Sequence, residues 1–460
     1  MTGPQLEPGW VDELLLAGAA DDVCLRLGEP VSRAELRRLV AGRGRVLAGA
    51  GLRRGGTVAL CLAPSLAFIT NLLAAWRIGA QASLLDYRLT PYEVDAALQR
   101  LLPQLVVTAE EQGAGGPLRG FAEITERVRA YPGQPAATTH AVIQLSSGST
   151  GPSKVIAREA ASLADEVKRY TLIEGVPGRG ERIVSLASMV HVLGLVGGLL
   201  YSLHAGVNLT IPARMTADGI LAAVAAGSQP TTLLGVPFHA ELLASVRNPP
   251  ELPMLTAMTT GGELVRPDVQ AAFADRYDVR LGNMYGMTEV GVIATDLFAE
   301  HRPAVMPAPG FTVREEAGEL HIALPASPYL GVQDPGRWSD GWLHTKDAGQ
   351  VDPGTRLVRV LGRRDSQVSV GGLKVDLTEV EHMLAGLPEV AGAVVVHDHA
   401  IEAYLVLADG ADESAVEREI TTRLAAYKRP RRLHVVAQLP RTATGKLVRD
   451  HATLKGEHRS

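Results

Sequence analysis

The N-terminal part of the chain alternates short apolar runs with amphipathic segments of helical length. Residues 57–62 and 80–85 are mostly apolar and predict buried strands, and residues 66–78 between them predict a helix. Residues 90–93 supply an N-cap threonine, a first-turn proline and a capping-box glutamate for the next helix. A strand predicted over residues 104–108 follows. This β-α-β alternation predicts a parallel or mixed sheet with covering helices, so the bulk of the chain is expected to be α/β.

The pattern changes after Gly310. Residues 319–323 and 357–361 alternate as antiparallel strands do. Two helices and three strands are predicted in the remaining tail: helices over 377–387 and 413–427, and strands over 392–396, 403–407 and 433–436. We therefore expect a large N-terminal α/β domain with a small antiparallel subdomain, residues 1–362, and a small, mobile α+β C-terminal domain, residues 363–460.

Composition narrows the class of protein. The chain has 460 residues, 46% hydrophobic and 21% charged, with a formal net charge of −5, so nothing suggests a nucleic-acid partner. Two cysteines, Cys24 and Cys61, cannot form a disulfide framework, and their apolar surroundings predict buried reduced thiols. A cytoplasmic location is expected.

Two segments bear on targeting. The first seven residues carry neither a basic region nor an apolar core, so no secretory signal is expected. Residues 184–213 contain no Asp, Glu, Lys or Arg, yet they include histidines, a proline and several glycines. They predict a buried strand-helix-strand segment rather than a membrane span.

Residues 146–154 combine hydroxyls, glycines and a lysine in one short loop. Glycines allow positive φ and turn backbone N–H groups inward, while hydroxyls and an ammonium add donors for an anion. The residues concerned are Ser147, Gly148, Ser149, Thr150, Gly151 and Lys154. The loop lacks the Gly-Lys-Ser/Thr order of a Walker A motif. By itself it predicts either a phosphate-binding loop or an ordinary polar turn.

Four later segments carry further polar chemistry. An aromatic ring, a hydroxyl and a carboxylate follow a predicted strand in residues 283–289, where α/β proteins place ligands. Residues 342–347 end in an isolated carboxylate. Residues 361–375 contain two arginines, an aspartate and paired glycines, and residues 440–446 end in a lysine on a polar turn.

In this order and spacing, the five segments resemble the motifs of the adenylate-forming superfamily, which includes acyl- and aryl-CoA synthetases, peptide-synthetase adenylation domains and luciferases. The resemblance extends over nearly the whole chain, up to Lys446. Residues 144–154 and the run from Gln367 to Gly372 most resemble stand-alone aryl-acid adenylating enzymes. The resemblance implies ATP-dependent formation of an acyl-adenylate, with Mg²⁺ as cofactor, followed by transfer to the thiol of CoA or of a carrier-protein phosphopantetheine.

The resemblance also implies residue roles. Lys446 corresponds to the lysine between the acid carboxylate and the α-phosphate, and Glu289 to the Mg²⁺ ligand. Asp347, supported by Arg363, corresponds to the ribose-binding aspartate, and Asp365 to the hinge of the C-terminal domain. The remaining residues implied to bind ATP are the loop residues named above together with Gly262, Glu263, Tyr285 (which would stack on adenine), Gly286 and Thr288. Two positions depart from the family pattern. Lys346 occupies a position that is usually glycine in the family, and Ser369 one that is lysine in many members.

The acid pocket is expected around His191, which is also implied to take part in catalysis. The other implied pocket residues are Val192, Val196, Thr259, Thr260 and Met284. In peptide-synthetase adenylation domains for α-amino acids, the position of Val192 is usually an aspartate, which binds the substrate ammonium. Because valine cannot bind an ammonium group, an α-amino acid is disfavoured as the substrate. Asparagine is usual there in enzymes for 2-hydroxybenzoic acids, so a salicylate-type acid is also disfavoured.

We therefore predict an AMP-forming acid–thiol ligase that acts on a small carboxylic acid, with an aryl acid favoured and neither nucleic acid nor membrane as partner. A short- or medium-chain acyl-CoA synthetase is the alternative substrate class. Two alternatives of another kind remain: a non-catalytic binding or scaffold member, and a P-loop-type phosphotransferase, which would release ADP or phosphate instead of AMP and pyrophosphate.

Overall fold

The structure is a computed structural model that describes residues 9–110, 120–145, 154–331, 334–440, 447–449 and 454–455. The chain divides into two compact units. The first unit contains the described residues of Met1–Tyr87, Leu101–Gln144 and Val155–Gly362, and the second those of Arg88–Arg100, Leu145–Lys154 and Arg363–Ser460.

Two large sheets form the first unit. The order of the nine-stranded sheet is β15 (Met306–Pro307), β14 (Gly291–Asp296), β13 (Arg280–Met287), β12 (Leu255–Gly261), β11 (Thr231–Gly235), β9 (Arg182–Ser185), β10 (Asn208–Thr210), β1 (Val23–Leu27) and β2 (Glu29–Ser32). The order of the seven-stranded sheet is β18 (Tyr329–Leu330), β8 (Val155–Glu159), β7 (His140–Leu145), β4 (Gln81–Leu84), β3 (Thr57–Cys61), β5 (Leu105–Ala109) and β6 (Glu126–Ala130). Both sheets are mixed, with parallel centres such as β9-β11-β12-β13 and β5-β3-β4-β7.

A smaller antiparallel sheet completes the unit. Its strands are β16 (Val313–Glu316), β17 (Glu319–Ala323), β20 (Trp342–Val351) and β19 (Trp338–Ser339), and β21 (Val358–Arg363) pairs with β20. The helices in this part of the chain are α1 (Arg33–Gly49), α2 (Leu66–Ile78), α4 (Ala160–Tyr170), α5 (Tyr201–Ala205), α6 (Ala217–Ala225), α7 (Pro237–Ala244) and α8 (Pro267–Tyr277), with π-helical segments at Val11–Leu15 and Leu193–Leu200.

The main core of the unit joins side chains of both large sheets, including Leu25 and Leu209 from one and Val58 and Val142 from the other. Helix α2 contributes to this core and is buried from Phe68 to Trp76, because it is apolar on every side. Residues 184–213 form the predicted strand-helix-strand arrangement. No helix in the described part of the chain is long and apolar enough to cross a membrane.

The second unit contains helix α3 (Pro91–Leu101) up to Arg100 and the C-terminal module. The predicted capping box is present, since Thr90 N–H donates to Glu93 at 2.9 Å and Glu93 N–H to Thr90 Oγ1 at 3.2 Å. The other elements of the unit are the hairpin β22 (Gln367–Val370) and β23 (Leu373–Asp376), the sheet β24 (Val390–His397), β25 (Ile401–Leu407) and β26 (Arg432–Val435), and helices α9 (Leu377–Ala385) and α10 (Glu413–Arg423).

Helix α10 is shorter than the helix predicted over 413–427. It ends at Arg423 because Leu424 and Ala425 adopt extended backbone, and a separate single turn, Ala426–Lys428, follows. Gly371 and Gly372, with φ of +58° and +81°, form the two-residue turn between β22 and β23. A turn with two positive φ values favours glycine at both positions, so the hairpin itself accounts for this pair.

Candidate active site

Asp347 and Tyr285 meet between the small antiparallel sheet and the end of β13. Asp347 lies on β20 and is buried, and the Tyr285 hydroxyl donates to its Oδ2 at 2.6 Å. Asp347 N–H donates to Thr345 Oγ1 at 3.0 Å, and the Thr345 hydroxyl in turn donates to the Leu320 carbonyl at 2.7 Å. The carboxylate predicted to bind ribose is therefore held in place beside the ring predicted to stack on adenine.

Lys346, the departure from the family glycine, occupies a bulge in β20. The register of β17 and β20 shifts between Glu319 and His321, and Lys346 has a φ of +63°. A side chain is disfavoured in this left-handed conformation, which explains why glycine is usual here. Glu319 holds the lysine: the Lys346 N–H donates to Oε1 at 3.0 Å, and the ammonium lies 3.4 Å from Oε1 and 3.5 Å from Oε2.

Glu289, the predicted Mg²⁺ ligand, follows β13 and is half-buried. The hydroxyl of Tyr329 donates to its Oε1 at 2.9 Å. Tyr329 is buried on β18 and pairs with Ile156 of β8, the strand that follows the predicted phosphate loop. A carboxylate fixed from one side in this way suits a hard cation, which prefers oxygen ligands.

His191 precedes the helical segment Leu193–Leu200 and is partly exposed. Its Nε2 lies 3.8 Å from the carboxylate of Asp86, which is buried two residues after the end of β4. The Cys61 thiol lies 3.8 Å from the Asp86 carbonyl, and burial, with a smaller effect of Asp86, raises the pKa of Cys61 to about 12. Cys61 is therefore a neutral thiol at physiological pH, not a nucleophile.

The other predicted pocket residues lie on three elements. Thr259 and Thr260 are buried on β12, and the Thr260 hydroxyl donates to the Gly282 carbonyl at 3.2 Å, so it is committed to the sheet. Met284 is buried on β13, where the Tyr170 hydroxyl donates to its sulfur at 3.3 Å. In the helical segment, Val196 is fully buried and Val192 partly exposed.

The glycines of the site differ in their surroundings. Gly262 has a φ of +98° in the exposed turn after β12, next to exposed Glu263, and a Cβ there would meet open space. A Cβ at Gly286 would lie 2.6 Å from the Gly291 carbonyl, so close approach of β13 and β14 requires glycine at that position. Thr288 is half-buried beside Glu289.

Part of the predicted site falls in the second unit or outside the described residues. Lys154 is buried immediately before β8. The Arg363 guanidinium donates two hydrogen bonds to the predicted hinge residue Asp365, at 2.9 and 2.6 Å. The residues that lie outside the described part of the chain are Ser147, Gly148, Ser149, Thr150, Gly151 and Lys446.

Sequence reasoning missed two residues of this site. Tyr329 lies in a strand of two residues, for which no sequence motif provides a signal. Asp86 directly follows the strand predicted over residues 80–85, and a carboxylate at the end of a parallel strand is a recognisable sign of a ligand site. That sign could have identified Asp86.

Comparisons with known proteins are consistent with this geometry. Residues 16–320 match the family described as AMP-binding enzyme, and residues 379–446 match the AMP-binding enzyme C-terminal domain. A p-hydroxybenzoic acid–AMP ligase from Mycobacterium marinum is 26% identical over 98% of this chain and 68% of its own length. The chain thus spans about two thirds of that relative.

Two further proteins extend the comparison. A benzoate–CoA ligase from Thauera aromatica is 27% identical over 87% of this chain and 86% of its own length. The solved structure of an o-succinylbenzoate CoA synthetase from Bacillus subtilis covers 96% of this chain and 98% of its own chain, with a TM-score of 0.80 at 22% identity. The fold of the chain is therefore that of this synthetase.

Proposed function

Because the chain belongs to the AMP-binding enzyme family, we propose that it activates an aryl carboxylic acid as an acyl-adenylate and then transfers the acyl group to a pantetheine thiol. The observation that carries the proposal is the hydrogen bond of 2.6 Å from Tyr285 to the buried Asp347. It fixes a carboxylate, which can accept both hydroxyls of a ribose, next to an aromatic ring that can stack on a base.

ATP recognition is divided among several residues in this proposal. Asp347 accepts the ribose hydroxyls, and the Tyr285 ring covers adenine while its hydroxyl orients the aspartate. A Cβ at Gly262 would meet open space, and we propose that this position leaves room for the base. Residues 147–151 and Lys154 bind the β- and γ-phosphates, an assignment that rests on the sequence resemblance.

Glu289 is the residue that would hold Mg²⁺. Its carboxylate accepts one hydrogen bond from Tyr329 among the described residues, and a hard cation favours such an oxygen ligand. When bound, the ion neutralises phosphate charge and so favours departure of pyrophosphate. Thr288 adds a hydroxyl donor for phosphate next to it.

The chemistry has two steps. In the first, a carboxylate oxygen attacks the α-phosphorus of ATP, and the bond to the β-phosphate bridging oxygen breaks, releasing pyrophosphate. In the second, a thiolate sulfur attacks the acyl carbon, the bond to the adenylate oxygen breaks and AMP leaves. Because two anions meet in the first step, a cation must lie between them, and Lys446 is proposed for this role.

The preference for an aryl acid rests on the residues near His191. Val192 and the buried Val196 offer apolar surface but no carboxylate for a substrate ammonium. The two relatives from Mycobacterium marinum and Thauera aromatica are named for p-hydroxybenzoic acid and benzoate. A short- or medium-chain acyl substrate is the competing possibility.

Acid-dependent exchange of labelled pyrophosphate into ATP tests the proposal. Benzoate, monohydroxybenzoates and cinnamates should support exchange better than hexanoate or octanoate, and the nucleotide product should be AMP. Preference for the aliphatic acids would overturn the aryl assignment. Release of ADP would indicate a phosphotransferase, and exchange with no acid dependence would contradict acid activation altogether.

Asp347→Asn tests the carrying observation directly. Loss of charge-assisted hydrogen bonds to the ribose should lower kcat/KM for ATP by about tenfold or more, with a smaller effect on the KM for the acid. Asp275→Asn is the matched control, because Asp275 is exposed on α8. If the two variants have equal kcat/KM values for ATP, Asp347 does not bind ATP.

The thiol acceptor is decided by a second assay. CoA and a phosphopantetheinylated carrier protein are each added to the preformed acyl-adenylate complex, and thioester formation is measured by mass spectrometry. Faster acyl transfer to one of them identifies the physiological class of acceptor. Turnover with neither would contradict the second half of the proposed reaction.

A further inference from the structure

Two histidines and a glutamate cluster on the small antiparallel sheet, on the strand pair that also carries Asp347. Glu319 and His321 are two residues apart on β17 and share one face, and His344 of β20 pairs directly with His321. One donor atom from each of the three residues lies within 4.8 Å of the others. These donors have no place in the reaction proposed above.

Two residues of the cluster are buried, His344 is half-buried, and the two histidine rings pack against each other. Glu319 is 7% exposed and His321 is 6% exposed. The imidazole rings of His321 and His344 stack with centroids 4.3 Å apart and an angle of 16° between their planes. Because a ring nitrogen binds an ion through a lone pair in the plane of its own ring, one imidazole turns out of this stack when both rings bind the same ion.

The nitrogen atoms have few other partners. His321 Nδ1 is buried and makes no hydrogen bond in the described part of the chain; Glu316 Oε2 is 3.5 Å away. The Nε2 of His344 lies 3.1 Å from the Ser339 hydroxyl. In metal sites, an oxygen group on one ring nitrogen commonly orients the histidine so that the other nitrogen binds the ion.

We propose that Glu319, His321 and His344 form a binding site for a divalent transition-metal ion of the Zn²⁺ class. Two imidazole nitrogens and one carboxylate oxygen suit a borderline ion, whereas Mg²⁺ and Ca²⁺ prefer oxygen ligands throughout. Three protein ligands leave a fourth position for water. None of the three residues is assigned to ATP or acid binding, and metal binding is measured without turnover, so the test does not depend on the proposed activity.

The ammonium of Lys346 competes with the metal ion for the carboxylate of Glu319. It lies 3.4 Å from Glu319 Oε1, where it neutralises the carboxylate that a metal would use. The lysine side chain is 27% exposed, so it can turn to solvent when an ion binds. Lys346→Gly removes the competing charge and suits the positive φ at this position, and it should tighten metal binding by about two- to fivefold.

Titration of the EDTA-treated protein with Zn²⁺ against a chromophoric chelator tests the proposal, and Co²⁺ absorption reports on the coordination of the ion. The wild-type protein should bind one equivalent at this site. His321→Asn and His344→Asn should each weaken that binding more than about tenfold. His399→Asn is the control, because His399 is 98% exposed and 3.9 Å from Asp398, a surface His–carboxylate pair.

Thermal unfolding of each apo variant shows whether it folds, and the Zn²⁺-induced rise in Tm gives an independent measure of binding. The expected result is a Tm rise in wild type, His399→Asn and Lys346→Gly, and none in folded His321→Asn or His344→Asn. No binding by the wild type would overturn the proposal. So would binding that His321→Asn and His344→Asn leave unchanged, which would mean an adventitious ion only.

Discussion

Two tyrosine hydroxyls position the two carboxylates of the candidate site. Tyr285 donates to Asp347, and Tyr329 donates to Glu289. The sequence predicted both carboxylates and Tyr285, because they lie in contiguous motifs. It could not predict Tyr329, because the contact joins residues far apart in the chain through a strand of two residues.

Tyr329→Phe separates metal positioning from the rest of the site. The variant keeps the buried ring but loses the hydrogen bond to Glu289, so the Mg²⁺ concentration for half-maximal activity should rise by about three- to tenfold. The KM for the acid should stay within twofold of wild type. Tyr92→Phe, on a tyrosine that is 52% exposed on α3, controls for loss of a phenolic hydroxyl. An unchanged Mg²⁺ dependence would refute the positioning role of Tyr329.

Lys346 shows how a departure from a motif is tolerated. Lys346→Ala and Lys346→Gly both remove the ion pair with Glu319, but only glycine suits a φ of +63°. The glycine variant should therefore be more stable than the alanine variant by about 1 kcal/mol, measured by urea unfolding. Equal stabilities would mean that the bulge relaxes to accept a Cβ.

Elements with strong periodicity were predicted well. The helix predicted over residues 66–78 is α2 (Leu66–Ile78), and the strand predicted over 319–323 is β17 (Glu319–Ala323). The prediction was wrong at the end of a helix whose length is set by tertiary structure. Helix α10 stops at Arg423, before the predicted residue 427, because the chain turns into extended backbone there.

Helix α7 depends on a buried histidine for its start. Its N-cap residue, Val236, has no side-chain acceptor, and His239 Nδ1 instead accepts the Val236 N–H at 3.2 Å. Burial lowers the pKa of His239 to about 4. Because a histidine in the unfolded chain has a pKa of about 6.5, the unfolded state gains a proton first as the pH falls, and stability is lost between about pH 7 and pH 4.

His239→Gln isolates this contribution. Between pH 7.5 and pH 5.0 the wild-type protein should lose about 2 kcal/mol more free energy of unfolding than the variant, because glutamine does not titrate. Urea unfolding at the two pH values measures the difference. Parallel losses in both proteins would show that His239 is not the group responsible. His399→Asn, at an exposed histidine, should behave as wild type.

At the scale of the whole molecule, the adenylate-forming family, the α/β core with its smaller modules and the AMP-forming acid–thiol ligase class are confirmed. These features depend on the order of motifs and on hydrophobic periodicity over hundreds of residues. Both can be read from a single sequence. The assignment of residues 88–100 to the second unit was not predicted. It depends on contacts between segments remote in sequence, and such contacts leave no local pattern.

Lys428 is the centre of those contacts. It is buried, and its Nζ lies 2.8 Å from Glu93 of α3 and 3.3 Å from Glu379 of α9, all within the second unit. Burial alone would lower the pKa of Lys428, but Glu379, Tyr427 and Glu93 together raise it above its usual value. The charge is therefore retained at every physiological pH, and its stabilising effect is lost only in strong alkali.

Lys428→Met should destabilise the second unit by about 3–5 kcal/mol, because it leaves two buried or half-buried carboxylates without their cation. Adding Glu93→Gln to Lys428→Met should recover part of the loss, since it removes one of the uncompensated charges. Lys168→Met, at an exposed position on α4, matches the change in net charge and should alter the free energy of unfolding by less than about 0.5 kcal/mol. If Lys428→Met and Lys168→Met unfold alike, the ion pairs do not hold α3 in this unit, and apolar packing must do so instead.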